Sequence, residues 1–235
     1  LELGYGALHN AGLPRSKLLH TDTAVFVGVM STEFRAALPR ANAYAMTGTG
    51  HCFVAGRLSY VLGLHGVCEA IDVACSAALV ACYNAHRALQ MRDGRDALHA
   101  GVNMMFLPAA LHEYAAAGLT SPSGRAFVFD ARANGFVRGE GCAAGVLQVG
   151  GVEGSELLVG SAVRQDGRSA SLTAPNGRAQ QQLLGAVLAD APTMPAQLQA
   201  VEAAANGSAL GDPVESGAIA AALLAHRTQS AALLA

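Results

Sequence analysis

The stretch Gly63–Leu89, GLHGVCEAIDVACSAALVACYNAHRAL, decides how the rest of the chain is interpreted. Its first part has the short run of a β-strand at Val67, Glu69–Ile71 and Val73, and from Ser76 onward the spacing predicts a helix. Cys75 therefore lies where a strand passes into a helix. Backbone N–H groups at a helix N-terminus favour a thiolate and can hold an oxyanion, so Cys75 is our candidate nucleophile. The apolar positions that indicate the helix are Leu79, Val80, Tyr83 and Leu89.

A packing role is the competing interpretation of Cys75, because free cysteine is among the residue types most often buried. Its small neighbours Ala74 and Ser76 favour reactivity, since they leave room for a substrate carbonyl to reach the sulfur. The other cysteines have no paired C-x-x-C spacing, which argues against a zinc site and a disulfide framework. We expect a reducing intracellular compartment, cytoplasm or organelle, and packing roles for Cys52, Cys68, Cys82 and Cys142.

The sequence around Cys75 resembles the active-site motif D-T-A-C-S-S-S-L-V-A of β-ketoacyl synthases, the condensing enzymes of fatty-acid and polyketide synthesis. Further segments resemble the same family in the same order, among them SPSGRAFVFDARANGFVRGEGC from Ser121 and QDGRSASLTAPNG from Gln165. The resemblance implies an α/β, thiolase-like fold with α/β/α/β/α layers. It assigns residues 1–152 to a nearly complete first half with the nucleophile elbow, and residues 153–235 to a truncated second half.

A damaged motif in the second half changes the catalytic prediction. The segment VEAAANGSALGDPVE from Val201 resembles V-E-A-H-G-T-G-T-x-L-G-D-P-I-E, whose histidine helps to polarise the extender thioester in the family; Ala204 stands in its place. A methyl group can neither donate a hydrogen bond nor exchange a proton, so we expect condensation to be weak or lost. The chain reaches Ala235 before the family's K-S-N-I-G-H motif, which holds a second histidine and a lysine. Asp212 and Glu215 match positions that support this lysine, and without it we expect them to be solvated.

Two functions from different classes follow from the resemblance. The first is a β-ketoacyl-[acyl-carrier-protein] synthase, in which Cys75 accepts an acyl group from a phosphopantetheine thioester and condenses it with a malonyl-type extender. The second is a catalytically degenerate homologue, a pseudoenzyme kept as a structural component of a larger assembly. A cysteine hydrolase ranks last, because the chain has neither a G-x-S-x-G motif nor an assignable histidine partner. The expected partners are an acyl carrier protein and either a second copy in a homodimer or a larger protein assembly.

Composition excludes several other classes of protein. A net charge of −2 over 235 residues lacks the basic excess of a nucleic-acid-binding protein, and no uninterrupted apolar run has membrane-spanning length. The sequence has neither a metal-binding cluster nor a nucleotide-binding fingerprint, so we expect no cofactor other than the phosphopantetheine that arrives on the carrier protein. The chain begins at Leu1 with no basic-then-apolar leader, so we expect any targeting segment to be removed or outside this sequence.

The hydrophobic rhythm predicts alternating helices and strands that the structure can test. In the second half it predicts strands at Glu156–Arg164 and Leu198–Ala203. In the first half the glycines predict a turn at Thr47–Gly50. Among the charged residues of the long glycine-rich loop, we expect Arg138 to belong to a solvated or salt-bridged turn and Glu140 to be an interior hydrogen-bonding residue around the site.

Overall fold

The computed structural model describes residues 1–30, 33–38, 42–150 and 156–224. The chain forms two compact units, each built from two separate stretches of sequence. Unit 1 comprises Leu1–Pro108 and Gly139–Leu157, and unit 2 comprises Ala109–Arg138 and Leu158–Ala235. The division of the sequence after residue 152 rests on motifs, and it stays a prediction.

In its described residues, unit 1 contains four strands, which are β1 Ala24–Val29, β2 Cys68–Ile71, β3 Asp96–Asn103 and β4 Gly141–Gln148. They form one mixed sheet in the order β2-β1-β3-β4. Strand β1 runs parallel to both of its neighbours, and every one of its residues is buried. Its sequence AVFVGV is apolar on both faces, as expected of a parallel strand that is covered on both sides. Strand β4 is antiparallel to β3, so β2 and β4 are the two edges of the sheet.

Helices cover both faces of this sheet. Unit 1 includes the helices α1 Glu2–Asn10, α2 Arg15–Leu18, α3 Glu33–Ala37, α4 Ala45–Thr49, α5 Cys52–Leu62 and α6 Ala77–Gln90, of which α1, α5 and α6 pack against the sheet. On one face, Leu8 of α1 and Leu58 of α5 belong to a buried cluster with Val25 and Leu98 of the sheet. On the other face, the alanines of α6 are buried with Phe26 of β1.

Helix α6 is buried through its alanines and not through its larger apolar side chains. Ala81 and Ala85 are fully buried, whereas Leu79 exposes 78% of its surface. A helix can lie close to a sheet only where the side chains between them are small, which explains the difference. The apolar spacing therefore predicted the helix correctly, but the surface that the helix buries is its alanine face.

In the part that the structure describes, unit 2 combines helices with long irregular segments. It holds most of α7 Pro108–Ala116, together with α8 Gly177–Asp190 and α9 Gly211–Ile219. A π-helical turn, Ala220–Leu224, continues α9. The side chain of Asn176 caps α8 by accepting backbone N–H groups of its first turn, which have no partner inside the helix.

Two predicted strands of the second half are not formed. Residues Glu156–Arg164 have irregular backbone, and Leu198–Ala203 contains only a single bridge residue, Ala200. A strand requires a hydrogen-bonded neighbour along its length. The described part of unit 2 offers an isolated bridge between Thr120 and Phe136 but no ladder, so the predicted strands are wrong.

Two further findings concern the helices. The predicted turn at Thr47–Gly50 is wrong, because α4 runs through Thr49 and Gly50 follows it in an extended conformation. The Thr49 hydroxyl donates to the Ala45 carbonyl at 2.7 Å, so this residue helps to close the last turn of the helix. In the described ranges, none of the helices is both long enough and apolar enough to cross a membrane.

Candidate active site

The candidate nucleophile lies on a tight connection between a strand and a helix. A short 3₁₀ turn, Ala74–Ser76, joins β2 to α6. Ala74 has a φ of +53°, in the left-handed region that non-glycine residues seldom adopt. The Asp72 carboxylate accepts the Ala74 N–H at 3.3 Å, and the Ser76 hydroxyl donates to the Val73 carbonyl at 2.8 Å. Local hydrogen bonds thus hold the sharp strand-to-helix geometry that nucleophile elbows have.

Cys75 is the middle residue of this turn and is exposed. It precedes the first residue of α6 by two positions, which places it at the positive end of the helix dipole. The exposure contradicts the competing interpretation of Cys75 as a residue of the unit 1 core. Its role as the nucleophile stays a prediction.

Two glycines in the sheet allow the first turn of α6 to lie directly on it. A Cβ atom at Gly28 of β1 would be 2.5 Å from the Ala77 carbonyl carbon, and one at Gly101 of β3 would be 2.5 Å from the Ala78 Cβ. Both distances are too short for real packing, so the two positions require glycine. The sequence analysis missed them, although glycine inside a strand is a signal of close backbone approach. These glycines fix the distance between the sheet and the helix that follows Cys75.

The other cysteines are less buried than the sequence predicted. Cys52, Cys68 and Cys142 are exposed, and Cys82 is partly buried. Burial raises the pKa of the Cys82 thiol, which favours its protonated form. A packing role is therefore wrong for the three exposed residues. Two of them, Cys68 and Cys142, lie on β2 and β4, the edge strands of the sheet that the described residues form.

Two carboxylates hold the backbone that follows β3 in unit 1. Glu140 accepts the Met105 N–H at 2.6 Å, and Glu33 accepts the N–H groups of Phe106 and Leu107, both at 2.8 Å. Glu140 is exposed, so its predicted interior position is wrong, although it does form the expected kind of hydrogen bond. Glu33 was missed, because 73 positions separate it from the first residue that it contacts.

In unit 2, Glu215 of α9 binds the backbone at the position where the family motif has histidine. Its carboxylate accepts the Ala204 N–H at 2.7 Å and the Ala205 N–H at 2.9 Å. Ala205 has a φ of +26°, a backbone conformation that glycine tolerates better than alanine. The motif that the segment resembles has glycine there, so the backbone keeps the shape of the motif although the side chain has changed.

Asp212 is buried, with 2% of its surface exposed, and accepts three backbone N–H groups. These belong to Phe129 at 3.0 Å, Gly207 at 3.1 Å and Ser208 at 3.1 Å. The expectation that Asp212 and Glu215 are solvated is therefore wrong, since backbone donors bind both carboxylates. The signal in the sequence was a glycine-containing turn directly before the helix that carries them, because such turns present several N–H groups to an anion. We call Asp212 and Glu215 the carboxylate clamp.

Two arginines of unit 2 stack on aromatic rings in the glycine-rich loop region. The Arg132 guanidinium lies 4.4 Å from the Phe127 ring centroid, and that of Arg138 lies 5.0 Å from the Tyr114 ring centroid. Hydrogen bonds from the side chain and the backbone of Arg132 lower the pKa of Asp130 to about 2. Arg138 is half-buried, and its predicted role in a solvated or salt-bridged turn stays a prediction.

An apolar cavity of about 690 Å³ lies beside α9 in unit 2. Its lining is largely apolar, including Phe129, Val201, Ile219 and Leu224, with Asp212 among the few polar residues. In the part of the chain that the structure describes, no three histidine, cysteine or carboxylate side chains surround a point where a metal ion could bind. Considered separately, unit 1 offers the exposed Cys75 thiol, and unit 2 offers a backbone segment with Ala204 at the position of the motif histidine.

Comparison with known proteins identifies the family. Residues 1–150 match the family model of the β-ketoacyl synthase N-terminal domain, and residues 156–235 match that of the C-terminal domain. The chain belongs to the β-ketoacyl synthase family. The resemblance found in the motifs around Cys75 and Ala204 is confirmed.

The curated relatives of this ketosynthase are components of polyketide synthases. The chain is 42% identical over 231 residues to one of the phenolphthiocerol/phthiocerol polyketide synthase subunits of Mycobacterium tuberculosis, with 94% of this chain and 15% of the relative covered. It is 38% identical over 244 aligned positions to another of these subunits from the same organism, with 100% of this chain and 13% of the relative covered. The ketosynthase thus spans 13 to 15% of the length of these relatives.

Solved ketosynthases share the fold of the chain. The ketosynthase from module 6 of the bacillaene synthase from Bacillus subtilis 168 superimposes with a TM-score of 0.87 at 30% identity, covering 98% of this chain and 41% of that one. The oxazolomycin ketosynthase domain of Streptomyces albus JA3453 gives a TM-score of 0.86 at 32% identity, with coverages of 96% and 42%. The fold is therefore of the thiolase-like α/β class, as the sequence predicted.

Proposed function

We propose that this ketosynthase forms an acyl-enzyme on Cys75 but does not by itself complete a decarboxylative condensation. The observation that supports the first part is the exposed thiol in the elbow between β2 and α6. The second part rests on the methyl group of Ala204 at the position of the motif histidine. The proposed substrate is an acyl thioester on the phosphopantetheine arm of an acyl carrier protein.

The proposed loading step is a thioester exchange. The Cys75 thiolate attacks the acyl carbonyl carbon, a carbon–sulfur bond forms, and the carbonyl oxygen becomes an oxyanion. The oxyanion then collapses, the bond from carbon to the pantetheine sulfur breaks, and the carrier arm leaves as a thiolate that takes a proton from water. The N-terminus of α6 favours negative charge near Cys75, on the attacking sulfur and on the oxyanion alike.

Condensation requires a second step that this chain is poorly equipped to catalyse. The extender must lose carbon dioxide, and its carbanion must attack the acyl carbonyl on Cys75. In the motif that Val201–Glu215 resembles, a histidine polarises the extender thioester, and Ala204 has no donor to replace it. The loss of one such donor slows a reaction by about 100- to 1000-fold. The carboxylate clamp still holds the local backbone, so the loss concerns the side chain and not the shape of the segment.

A second copy of the chain is the proposed partner of the open sheet edge in unit 1. Strand β2 is an edge strand, and Cys68 and Glu69 on it are exposed. Edge strands can pair with a strand of another chain. Tyr60 of α5 and Leu79 of α6 expose 88% and 78% of their surface, and a contact at this edge could cover such apolar side chains. An acyl carrier protein and a larger polyketide synthase assembly are the other proposed partners.

A structural role in an assembly is the second candidate function. The observation that favours it is the intact carboxylate clamp around Ala204, a position that has no catalytic side chain. In this case the chain contributes a folded surface to an assembly, and Cys75 accepts no acyl group.

Intact mass spectrometry after incubation with an acyl-carrier thioester separates the two candidates. The matched control for Cys75→Ala is Cys142→Ala, because Cys142 is also exposed but lies outside the elbow. We expect one acyl adduct on the wild-type chain and on Cys142→Ala, and none on Cys75→Ala. If folded wild-type protein gains no adduct, the acyl-enzyme proposal is wrong and the structural role stands.

Condensation is measured separately with a malonyl-carrier extender. We expect little β-ketoacyl product from the wild-type chain and more from Ala204→His, because the variant restores a donor on a backbone that is already held by Glu215. Steady product formation by the wild-type chain would contradict the proposed impairment.

A further inference from the structure

We propose that His20 and His65 form a binding site for one divalent transition-metal ion of the kind that imidazole prefers, such as Ni²⁺ or Zn²⁺. His20 lies on the connection before β1, and His65 lies on the connection before β2. The Nδ1 atom of His20 and the Nε2 atom of His65 are 3.3 Å apart. Because β1 and β2 are parallel, the two histidines lie near the N-terminal ends of both strands, whereas Cys75 follows the C-terminal end of β2.

The separation of the two nitrogen atoms suits a shared ion. Two imidazole nitrogens bound at 2.0–2.1 Å are about 3.3 Å apart on a tetrahedral ion such as Zn²⁺ and about 2.9 Å apart at the right angle that Ni²⁺ prefers, so binding of Ni²⁺ requires the two nitrogens to approach by about 0.4 Å. Without metal, one of the two nitrogens donates a hydrogen bond to the other. For an ion to bind, the donor ring moves its proton to its other nitrogen, so two neutral rings bind metal with no net release of protons. Since no third protein ligand of the histidine, cysteine or carboxylate type is in place among the described residues, water completes the coordination.

Backbone hydrogen bonds hold the two connections together before any ion binds. The His20 N–H donates to the Gly63 carbonyl at 2.7 Å, and the His65 N–H donates to the Thr21 carbonyl at 2.8 Å. The Thr21 hydroxyl donates in turn to the Leu18 carbonyl at 2.8 Å. The rings are therefore carried by a backbone that is already ordered, which lowers the entropy that metal binding would lose.

His20 adopts a backbone conformation that is unfavourable for histidine. Its φ is +63°, in the left-handed region. In this conformation its ring meets the His65 ring edge-on, with centroids 5.0 Å apart. Strain of this kind is concentrated at functional sites, because the surrounding structure must maintain it.

The charges around the pair do not oppose a cation. The cavity beside the two histidines has a volume of about 990 Å³. Three carboxylates line it together with two guanidinium groups; they are Asp22, Asp93, Asp96, Arg92 and Arg95. The local excess of one carboxylate is compatible with a dication held by two neutral imidazoles.

Isothermal titration calorimetry with NiCl₂ near neutral pH tests the site in wild-type protein and three variants. His20→Asn removes an imidazole and places a residue that tolerates positive φ, and His65→Gln removes the other imidazole. His112→Gln is the matched control, because His112 is exposed and lies on α7. All four proteins contain the same five cysteines, so nickel binding to thiols is an equal background in each.

We expect the wild-type chain and His112→Gln to bind one Ni²⁺ at this site, and each site variant to bind it at least about tenfold more weakly. Saturating Ni²⁺ should raise the melting temperature of the first two proteins only, because the ion links the connections before β1 and β2. Equal nickel affinity in the wild type and in both site variants, or binding explained by thiols alone, would overturn the proposal. Paramagnetic broadening of the His20 and His65 ring signals in wild-type protein is a second test that needs no variant, and its absence would also contradict the site.

Discussion

Replacing Asp212 by asparagine tests the carboxylate clamp directly. The Oδ2 atom of Asp212 accepts the N–H groups of Phe129 and Gly207, and the Oδ1 atom accepts that of Ser208. Asparagine has a single carbonyl oxygen, so its NH₂ group must face at least one of these donors. One buried N–H then loses its acceptor, and the two remaining hydrogen bonds lose the contribution of the negative charge.

The expected loss of stability can be worked out from these three bonds. A buried donor without an acceptor costs about 1–3 kcal/mol, and a hydrogen bond to a charged group is worth roughly 1 kcal/mol more than a neutral one. One lost and two weakened bonds together amount to about 4 kcal/mol. Solvent screening reduces this value little, because only 2% of the Asp212 surface is exposed.

Urea denaturation followed by the helical circular dichroism signal measures the free energy of unfolding of Asp212→Asn. The control is Asp93→Asn, because Asp93 is an exposed carboxylate in unit 1. Hydrogen exchange should show faster exchange in the peptides that contain Phe129, Gly207 and Ser208. A change in unfolding free energy below about 0.5 kcal/mol, as for ordinary surface substitutions, together with unchanged exchange would refute the reasoning.

Two further predictions concern unit 1. Gly28→Ala should lower the free energy of unfolding by about 3 kcal/mol, because the new Cβ would overlap the Ala77 backbone; Gly6→Ala, whose Cβ would meet nothing within 4 Å, is the control in the same urea experiment. Burial lowers the pKa of His99 from its ordinary value of 6.5. Between the lowered folded pKa and about pH 6.5, His99 is protonated in the unfolded chain but neutral in the folded chain. The free energy of unfolding is therefore highest above about pH 6.5 and decreases as the pH falls from there through the folded pKa. His99→Gln should flatten this part of the stability profile, and identical profiles for the two proteins would contradict the prediction.

Local rules predict the elements of unit 1 better than the way they pack. The strand at Cys68–Ile71 and the helix after Ser76 follow from a short run and from spacing, which depend on neighbouring residues. The alanine face of α6 depends instead on Gly28 and Gly101, which lie in two other elements of the chain. The strands predicted in the second half failed for the same reason, since a strand requires a partner that its own sequence does not specify.

In the candidate site, too, local features were predictable from the sequence and long-range contacts were not. The motif around Cys75 predicted the elbow, because the strand, the turn and the start of the helix are contiguous in sequence. For Asp212, the glycine-containing turn before α9 signals the nearby partners Gly207 and Ser208, but Phe129 lies 83 positions away and its backbone N–H leaves no signature in the sequence. From sequence alone, a carboxylate that accepts backbone N–H groups cannot be distinguished from a solvated or a catalytic one, because its hydrogen-bond donors are not visible.

Motif residues can persist for structural reasons after a catalytic residue has been replaced. The resemblance assigned Asp212 and Glu215 to the support of a lysine, but in this chain they bind the backbone N–H groups of the segment around Ala204. It is the Ala204 N–H that donates to Glu215, so this contact does not depend on which side chain stands at position 204. The survival of these carboxylates is therefore no evidence for condensation. The exposed Cys75 on an ordered elbow bears on acyl loading alone, which is why the two steps must be measured separately.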